Sequence, residues 1–235
     1  MTSSHEAAEH EHLDDTNSGL LRASIFGVSD GLVSNLALVM GVAGGSGESS
    51  TIILAGTAGL LAGAFSMAAG EYVSMQTQRE TMERELRLER EHILEYPEEE
   101  QAHLSGLLAE SGLAPEAAKA FAARVHTDID LSVDFHARHE LGIVPGRLGS
   151  PVGAAAASFV SFVAGAAVPL MPWLIGSNAL IASMAASAAA LVLVGAVVTR
   201  ITEVHPLIGG VRQLLFGAGA AAVTYAIGSY VGRAV

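Results

Sequence analysis

The sequence predicts an all-α integral membrane protein with five transmembrane helices and a three-helix cytoplasmic domain inserted between the second and the third. The 235 residues are 51% hydrophobic and only 15% charged, and the apolar residues are concentrated in blocks. A helix needs about 20 consecutive apolar residues to cross a bilayer. Five blocks reach this length: 20–44, 51–75, 151–172, 178–201 and 207–231.

The order of these blocks divides the chain into four segments. The first segment is acidic and contains three histidines but has no basic, apolar signal sequence, so it is predicted to be a disordered tail. Two transmembrane helices, the charged domain and three more transmembrane helices follow it. The predicted bounds of the four segments are 1–19, 20–75, 76–147 and 148–235.

The transmembrane blocks are rich in glycine, alanine and serine. Gly27 and Gly31 are four residues apart in the first block, and Gly59 and Gly63 are four apart in the second. This spacing of small residues allows two helix backbones to approach closely in a membrane. Aromatic residues make up only 5% of the chain, so the small residues are expected to carry the packing.

Positively charged residues predict the orientation in the membrane. Arg22 precedes the first block, most of the other lysines and arginines lie between the second and third, and Arg200 and Arg212 flank the fourth connection. The connections at 44–50 and 171–177 contain neither lysine nor arginine. The excess of positive charge on cytoplasmic loops therefore places the amino terminus and residues 76–147 in the cytoplasm.

The charged segment is predicted to form three helices, over residues 76–95, 98–111 and 115–141. The first ends before Tyr96-Pro97, because a residue that precedes proline avoids the α region. Three glutamates begin the second helix, where negative charge is favourable near the helix amino terminus. Pro115 suits the first turn of the third helix.

Each of these helices places glutamate and histidine on its apolar face. At 100° per residue, the side chains that share these faces are Glu85, Glu89, His92, Glu100, His103, His136 and Glu140. Buried carboxylates need a proton or a cation, and inward-facing Glu-x-x-His pairs hold the metals of di-iron helical bundles. Mixed carboxylate and imidazole ligation suits Fe²⁺, Mn²⁺, Co²⁺ or Zn²⁺. A purely structural alternative is that arginine or water satisfies these acids. His126 and His139 are expected to be surface histidines.

Two carboxylates lie within the transmembrane blocks themselves, Asp30 in the first and Glu71 in the second. A charge inside a membrane helix costs roughly 2.5–3.5 kcal/mol, so it usually marks an ion path. Met67 is one helical turn before Glu71, and a thioether beside carboxylates favours a transition metal over Mg²⁺ or Ca²⁺. A metal and a proton would compete for such carboxylates, which is a physical basis for exchange.

Two segments give the chain a specific resemblance to the vacuolar iron transporter family. They are Gly-Val-Ser-Asp-Gly-Leu at 27–32 and Ser-Met-Ala-Ala-Gly-Glu-Tyr-Val-Ser at 66–74. The resemblance implies a homodimer of five-span subunits whose second span extends into a three-helix metal-binding domain. It also implies export of Fe²⁺ from the cytosol, against protons, with Mn²⁺ and similar ions as further substrates.

The family pattern also assigns individual residues. Asp30 and Met67 match its pore ligands, and Glu71 lies in the same motif. Metal-binding glutamates are matched by Glu89, Glu100 and Glu140. This chain departs from the pattern at His92 and His103, where the family has glutamate, and at His136, where it has methionine. These changes make the site richer in imidazole and shift the expected preference toward Zn²⁺ or Co²⁺.

The sequence therefore predicts a transition-metal exporter, with Fe²⁺ as the most favoured ion and no enzymatic activity. The expected partners are divalent ions, protons, the lipid bilayer and a second copy of the chain, with no cofactor beyond the transported ion. A net charge of −12 argues against nucleic acid. Composition suggests a bacterial cytoplasmic membrane. Two alternatives stay open: a membrane-anchored di-iron ferroxidase and a metal sensor that binds Fe²⁺ without moving it.

Overall fold

The computed structural model of the chain is helical and describes residues 3–145, 148–176, 179–201 and 205–234. Side chains are described from Gly19 onward within these ranges, except those of Arg200 and Ile201. The predicted boundaries at Arg147 and Asn178 lie outside the described residues. The helices are α1 (Ser3–Gly45), α2 (Ser49–Glu95), α3 (Pro97–Glu110), α4 (Pro115–Val125), α5 (Ile129–His139), α6 (Pro151–Ile175), α7 (Ala179–Ile201) and α8 (Pro206–Ala234).

Five of the described helices are long and apolar enough to cross a membrane, which confirms that prediction. The candidate spans are Gly19–Gly45, Ser49–Glu95, Pro151–Ile175, Ala179–Thr199 and Pro206–Ala234. They carry large apolar side chains on their outer surfaces, among them Leu54, Phe65 and Ile175, which are 72%, 64% and 77% exposed. Such surfaces are favourable against lipid and unfavourable against water. The chain is an integral membrane protein.

The residues divide into two compact units. The apolar unit consists of Met1–Val73 and Pro151–Val235, and the charged unit consists of Ser74–Ser150. Helix α2 contributes its apolar first half to one unit and its charged second half to the other.

In the apolar unit, α1 packs against α6, α7 and α8. Its buried side chains, together with one from α2 and one from α7, form the core: Leu32, Leu36, Val39, Met40, Ile52 and Leu191. Close approach of α1 to α6 depends on Gly31, because a Cβ at this position would overlap with the carbonyl oxygen of Phe162. The small residues predicted from the sequence to carry helix packing are therefore at an interface.

Gly31→Ala is expected to destabilise the apolar unit, because its methyl group must push the α6 backbone away from α1. Overpacking of this kind costs about 1–3 kcal/mol. Gly70→Ala is the matched control, since a Cβ at Gly70 meets no atom within 4 Å, and alanine is the better helix former. Thermal unfolding in detergent should show a lower melting temperature for the first variant only. Equal melting temperatures would contradict this packing.

In the charged unit, α3 and α4 pack together, and α5 is tied to the second half of α2. The core between α3 and α4 consists of Leu104, Leu108, Ala118, Ala122 and Val125. Arg90 of α2 donates a hydrogen bond of 2.6 Å to Asp130 of α5. Helix α2 ends at Glu95 and α3 begins at Pro97, as proline predicts.

The single helix predicted over 115–141 is wrong, because the structure has two helices there. The chain is extended at Asp128, with φ −133° and ψ 119°, and this side chain accepts hydrogen bonds from the backbone N–H groups of Asp130 and Leu131. Asp128 thereby caps a new helix, α5, and satisfies amide groups that have no partner within that helix. The described residues of the charged unit form four helical segments where three were expected.

The amino-terminal segment also differs from the expectation of a disordered tail over 1–19, because α1 begins at Ser3. This segment contains three glutamates and two alanines, and both residue types have high helix propensity. The apolar stretch that could cross a membrane begins at Gly19.

Candidate metal centre

His136 lies at the centre of a group of carboxylates in the charged unit. It faces inward from α5, and its side chain is fully buried. Its Nδ1 is 3.1 Å from a carboxylate oxygen of Glu89, 3.5 Å from one of Glu140 and 3.8 Å from one of Glu100. One nitrogen atom therefore faces three acids.

These acids come from three separate parts of the chain. Glu89 projects from the charged half of α2, Glu100 from the first turn of α3, and Glu140 from the residue that follows α5. Residues three or four apart share a helix face, which brings Glu140 close to His136 and Glu100 close to His103. The Nδ1 atom of His103 is 3.9 Å from Glu100 and 3.7 Å from Glu140.

Five side chains thus form one cluster, which we call the carboxylate–imidazole cluster: Glu89, Glu100, His103, His136 and Glu140. Their ligand atoms fall into two overlapping groups that share His136, and within each group the atoms lie within 4.8 Å of one another. Carboxylate oxygens and imidazole nitrogens coordinate a transition ion at about 2.0–2.2 Å. Small side-chain movements would therefore close either group around an ion.

Electrostatics favour a cation in this cluster. The ligand atoms of Glu89 and Glu140 lie within 4.8 Å of each other, where two negative charges repel by at least about 3.5 kcal/mol at an effective dielectric constant of 20. Burial lowers the pKa of His136, but its contacts with Glu89 and Glu140 and the negative charge of Glu100 outweigh burial and raise that pKa overall. The negative charges therefore favour either a proton on the ring or a metal ion in its place.

Two residues predicted for the cluster do not join it. Glu85 lies one turn before Glu89 on α2, is partly exposed and forms an ion pair of 3.4 Å with Arg84. His92 is exposed to solvent. The predicted apolar face of α2 is buried at Ile93 and Glu89. Of the three candidate ligands on this helix, only Glu89 lies at the height along the axis where it contacts His136. A helix face defined by angle alone cannot give this position along the axis.

His126 is a residue of the site that the sequence did not identify, since it was expected on the surface. Its ring is only partly exposed and lies 5.4 Å from the ring of His136, at an interplanar angle of 75°. Burial lowers the pKa of His126. His139, the other expected surface histidine, is exposed.

A second candidate site lies in the apolar unit, in a cleft of about 340 Å³ between α1, α2 and α6. Asp30 and Met67 both line it, together with Asn35 and Ser66. The amide nitrogen of Asn35 donates a hydrogen bond of 2.7 Å to the carbonyl oxygen of Ala166. Its buried amide oxygen has no hydrogen-bond partner among the described residues. The cleft therefore presents a carboxylate, a thioether and an amide oxygen.

Glu71 does not line this cleft, although the sequence grouped it with Met67. It lies one turn further along α2 and forms an ion pair of 3.7 Å with Arg22 of α1. The side chain of Glu71 is 17% exposed, whereas that of Arg22 is 71% exposed. Arg22 thus partly neutralises the carboxylate that the sequence predicted as a ligand.

Comparison with known proteins finds a matching family and several similar proteins. A family model described as the VIT family matches residues 21–229. Vacuolar iron transporter 1 of Tulipa gesneriana is 32% identical over 226 residues, which cover 95% of this chain and 92% of that protein. Vacuolar iron transporter 1 of Oryza sativa subsp. japonica is 31% identical over 231 residues, covering 97% and 92%.

A protein from an amoeba is also similar. The vacuolar iron transporter of Acanthamoeba castellanii is 33% identical over 216 residues, which cover 89% of this chain and 78% of that protein. These relatives come from two plants and an amoeba, and their names refer to the vacuole. They do not support the bacterial cytoplasmic membrane that composition suggested.

Proposed function

This chain belongs to the VIT family, and from this premise we propose that it transports divalent transition-metal ions out of the cytosol, with Fe²⁺ as its main substrate. The names of its relatives support iron, and the mixed ligands of the cluster suit Mn²⁺, Co²⁺ and Zn²⁺ as well. The function is transport, since both candidate sites offer metal ligands within an integral membrane protein.

The observation that carries the proposal is the convergence of three carboxylates on the buried Nδ1 atom of His136. Acids on a solvated surface point into water, where they stay apart and hydrated. Here they come together around a ring with no exposed surface, and a cation relieves the resulting repulsion. The charged unit would therefore collect the ion, and Glu100 and Glu140 are exposed enough to admit it.

The cleft of the apolar unit supplies the transmembrane step. Asp30 and Met67 lie within candidate membrane spans, where an uncompensated carboxylate is costly. An ion in the cleft would be bound by Asp30, Met67 and the free amide oxygen of Asn35. Protons could replace the ion on Asp30 once it leaves, which would couple export to proton entry. Arg22 would hold Glu71 at the end of this path until a cation arrives.

Orientation and assembly complete the proposal. Positive residues favour a cytoplasmic location for the amino terminus and for the charged unit. Asp30 lies on an exposed surface of the apolar unit, and an ion path needs protein rather than lipid on every side. A homodimer in which a second copy covers this surface meets that need.

The proposal is tested in liposomes that contain the purified full chain and a trapped pH-sensitive dye. Addition of Fe²⁺ outside, kept reduced with ascorbate, should produce iron entry and a simultaneous rise of internal pH as protons leave. Liposomes without protein are the control. Iron entry with constant internal pH would contradict proton exchange, and absence of entry would contradict transport.

Oxygen consumption in the same sample separates transport from ferroxidase activity. A di-iron oxidase would consume oxygen as Fe²⁺ is added and would need the cluster but not Asp30. We expect no protein-dependent oxygen consumption, because the transmembrane cleft has no role in an anchored oxidase.

A further inference from the structure

The protonation of one ring nitrogen of His126, Nδ1, is fixed by a backbone carbonyl group. Its Nδ1 is 3.1 Å from the carbonyl oxygen of Ala122. A carbonyl oxygen can only accept, so Nδ1 carries the proton, and Nε2 of the neutral ring has a free lone pair. This Nε2 is buried and has no hydrogen-bond partner among the described residues.

The ring of His136 has the opposite requirement once an ion is bound. Its Nδ1 faces the three carboxylates, so an ion held by them would take the lone pair of this nitrogen. The proton of the neutral ring must then lie on Nε2. In the described part of the chain, Nε2 of His136 is also buried and lacks a hydrogen-bond partner. A buried N–H group needs an acceptor.

The two rings are close enough to satisfy each other. Their centroids are 5.4 Å apart, and a ring nitrogen lies about 1.1 Å from its centroid. Nitrogens that face each other would therefore be about 3.2 Å apart, within hydrogen-bond range. This facing arrangement would set the lone pair of His126 against the N–H of His136, while Nδ1 of each ring keeps its own partner.

We propose that His126 accepts a hydrogen bond from Nε2–H of His136 when a divalent ion binds Nδ1 of His136. His126 is thus a positioning residue for the metal centre, because it fixes the tautomer and the direction of the ligating ring. The inference rests on the proposed function of the carboxylate–imidazole cluster. Metal-ligating histidines commonly donate their second N–H to such a partner, and loss of that partner weakens metal affinity about 10–100-fold.

The alternative role of His126 is packing alone. Aromatic rings at a steep angle attract each other edge to face, without a hydrogen bond. His126→Phe retains an aromatic ring but offers no acceptor, whereas His126→Gln can place an amide oxygen near the position of Nε2. These two variants therefore separate packing from hydrogen bonding.

His139 supplies the matched control. Its Nδ1 is 2.9 Å from the carbonyl oxygen of Phe135, four residues earlier, which repeats the local bond of His126 to Ala122. The ring of His139 is exposed and stacks on Phe135, at a centroid distance of 5.5 Å. His139→Phe thus removes the same local bond without affecting His136.

The test is a titration of the full-length protein with Co²⁺ in detergent, followed by the visible absorption of the bound ion. His136→Leu defines which part of the absorption belongs to the metal centre. We expect His126→Phe to weaken this part of Co²⁺ binding about 10–100-fold. His126→Gln should bind close to the unsubstituted protein with the same spectrum, and His139→Phe should be unchanged.

Other results would overturn the inference. If His126→Phe binds Co²⁺ as well as His139→Phe does, His126 only packs. If His126→Gln is as weak as His126→Phe, or its spectrum shows a changed coordination sphere, the acceptor role is wrong. If the unsubstituted protein shows no Co²⁺ absorption that depends on His136, the metal centre itself is refuted, and this inference with it.

Discussion

Asp30→Asn is expected to abolish Fe²⁺ movement through the apolar unit while leaving metal binding to the charged unit intact. Asparagine has nearly the same shape as aspartate but lacks the charge that a cation needs. At an effective dielectric constant of 20, two unit charges 4 Å apart attract each other by about 4 kcal/mol. Loss of this term from the cleft should lower the initial rate of Fe²⁺ entry into liposomes at least about 100-fold.

Glu83→Gln is the control for this variant. Glu83 is an exposed acid of α2 that accepts a hydrogen bond of 2.8 Å from Arg79, and exposed pairs of this kind contribute little. Its loss should leave both transport and metal binding unchanged. Equal Fe²⁺ entry for the unsubstituted protein and Asp30→Asn would refute the assignment of the cleft as the ion path.

His136→Leu is expected to cause the largest loss of metal affinity in the charged unit. His136 belongs to both groups of ligand atoms, so its removal disrupts each of them at once. Loss of a second-layer partner alone costs about 10–100-fold, so removal of a shared ligand should weaken Co²⁺ or Fe²⁺ binding by at least about 100-fold. Calorimetric titration of the full chain in detergent measures this change directly.

Two further variants make that result specific. His136→Met restores a ligand atom of the type that the family pattern has at this position, so it should lose less affinity than His136→Leu. Glu85→Gln changes a carboxylate of α2 that lies outside the cluster and should bind as the unsubstituted protein does. A His136→Leu protein with unchanged affinity and an unchanged melting temperature would contradict a metal ligand at this position.

Local periodicity accounts for the parts that the sequence predicted well. The five long apolar helices follow from block length alone. The helical repeat of 3.6 residues also predicts the inward faces that carry Glu89, Glu100 and His136. These assignments need no knowledge of how one helix packs on another.

The parts that the sequence missed depend on a break in the chain or on packing between distant residues. On one continuous helix, His126 would lie about 80° away from His136, since ten residues at 100° each leave that offset. The break at Asp128 separates α4 from α5 and brings the two rings together. The pair of Arg22 with Glu71 joins residues far apart in sequence, and no periodic pattern reveals it.

X-ray absorption at the iron edge, on the full chain loaded with Fe²⁺ under reducing conditions, would show directly what surrounds the ion in the charged unit. With Asp30→Asn as background, the cluster is expected to give a shell of oxygen and nitrogen atoms with the outer scattering of an imidazole ring. His136→Leu in the same background should weaken that imidazole signal, leaving at most the contribution of His103. Iron coordinated by oxygen alone, with a spectrum that His136→Leu leaves unaltered, would contradict a metal ion bound between these carboxylates and His136.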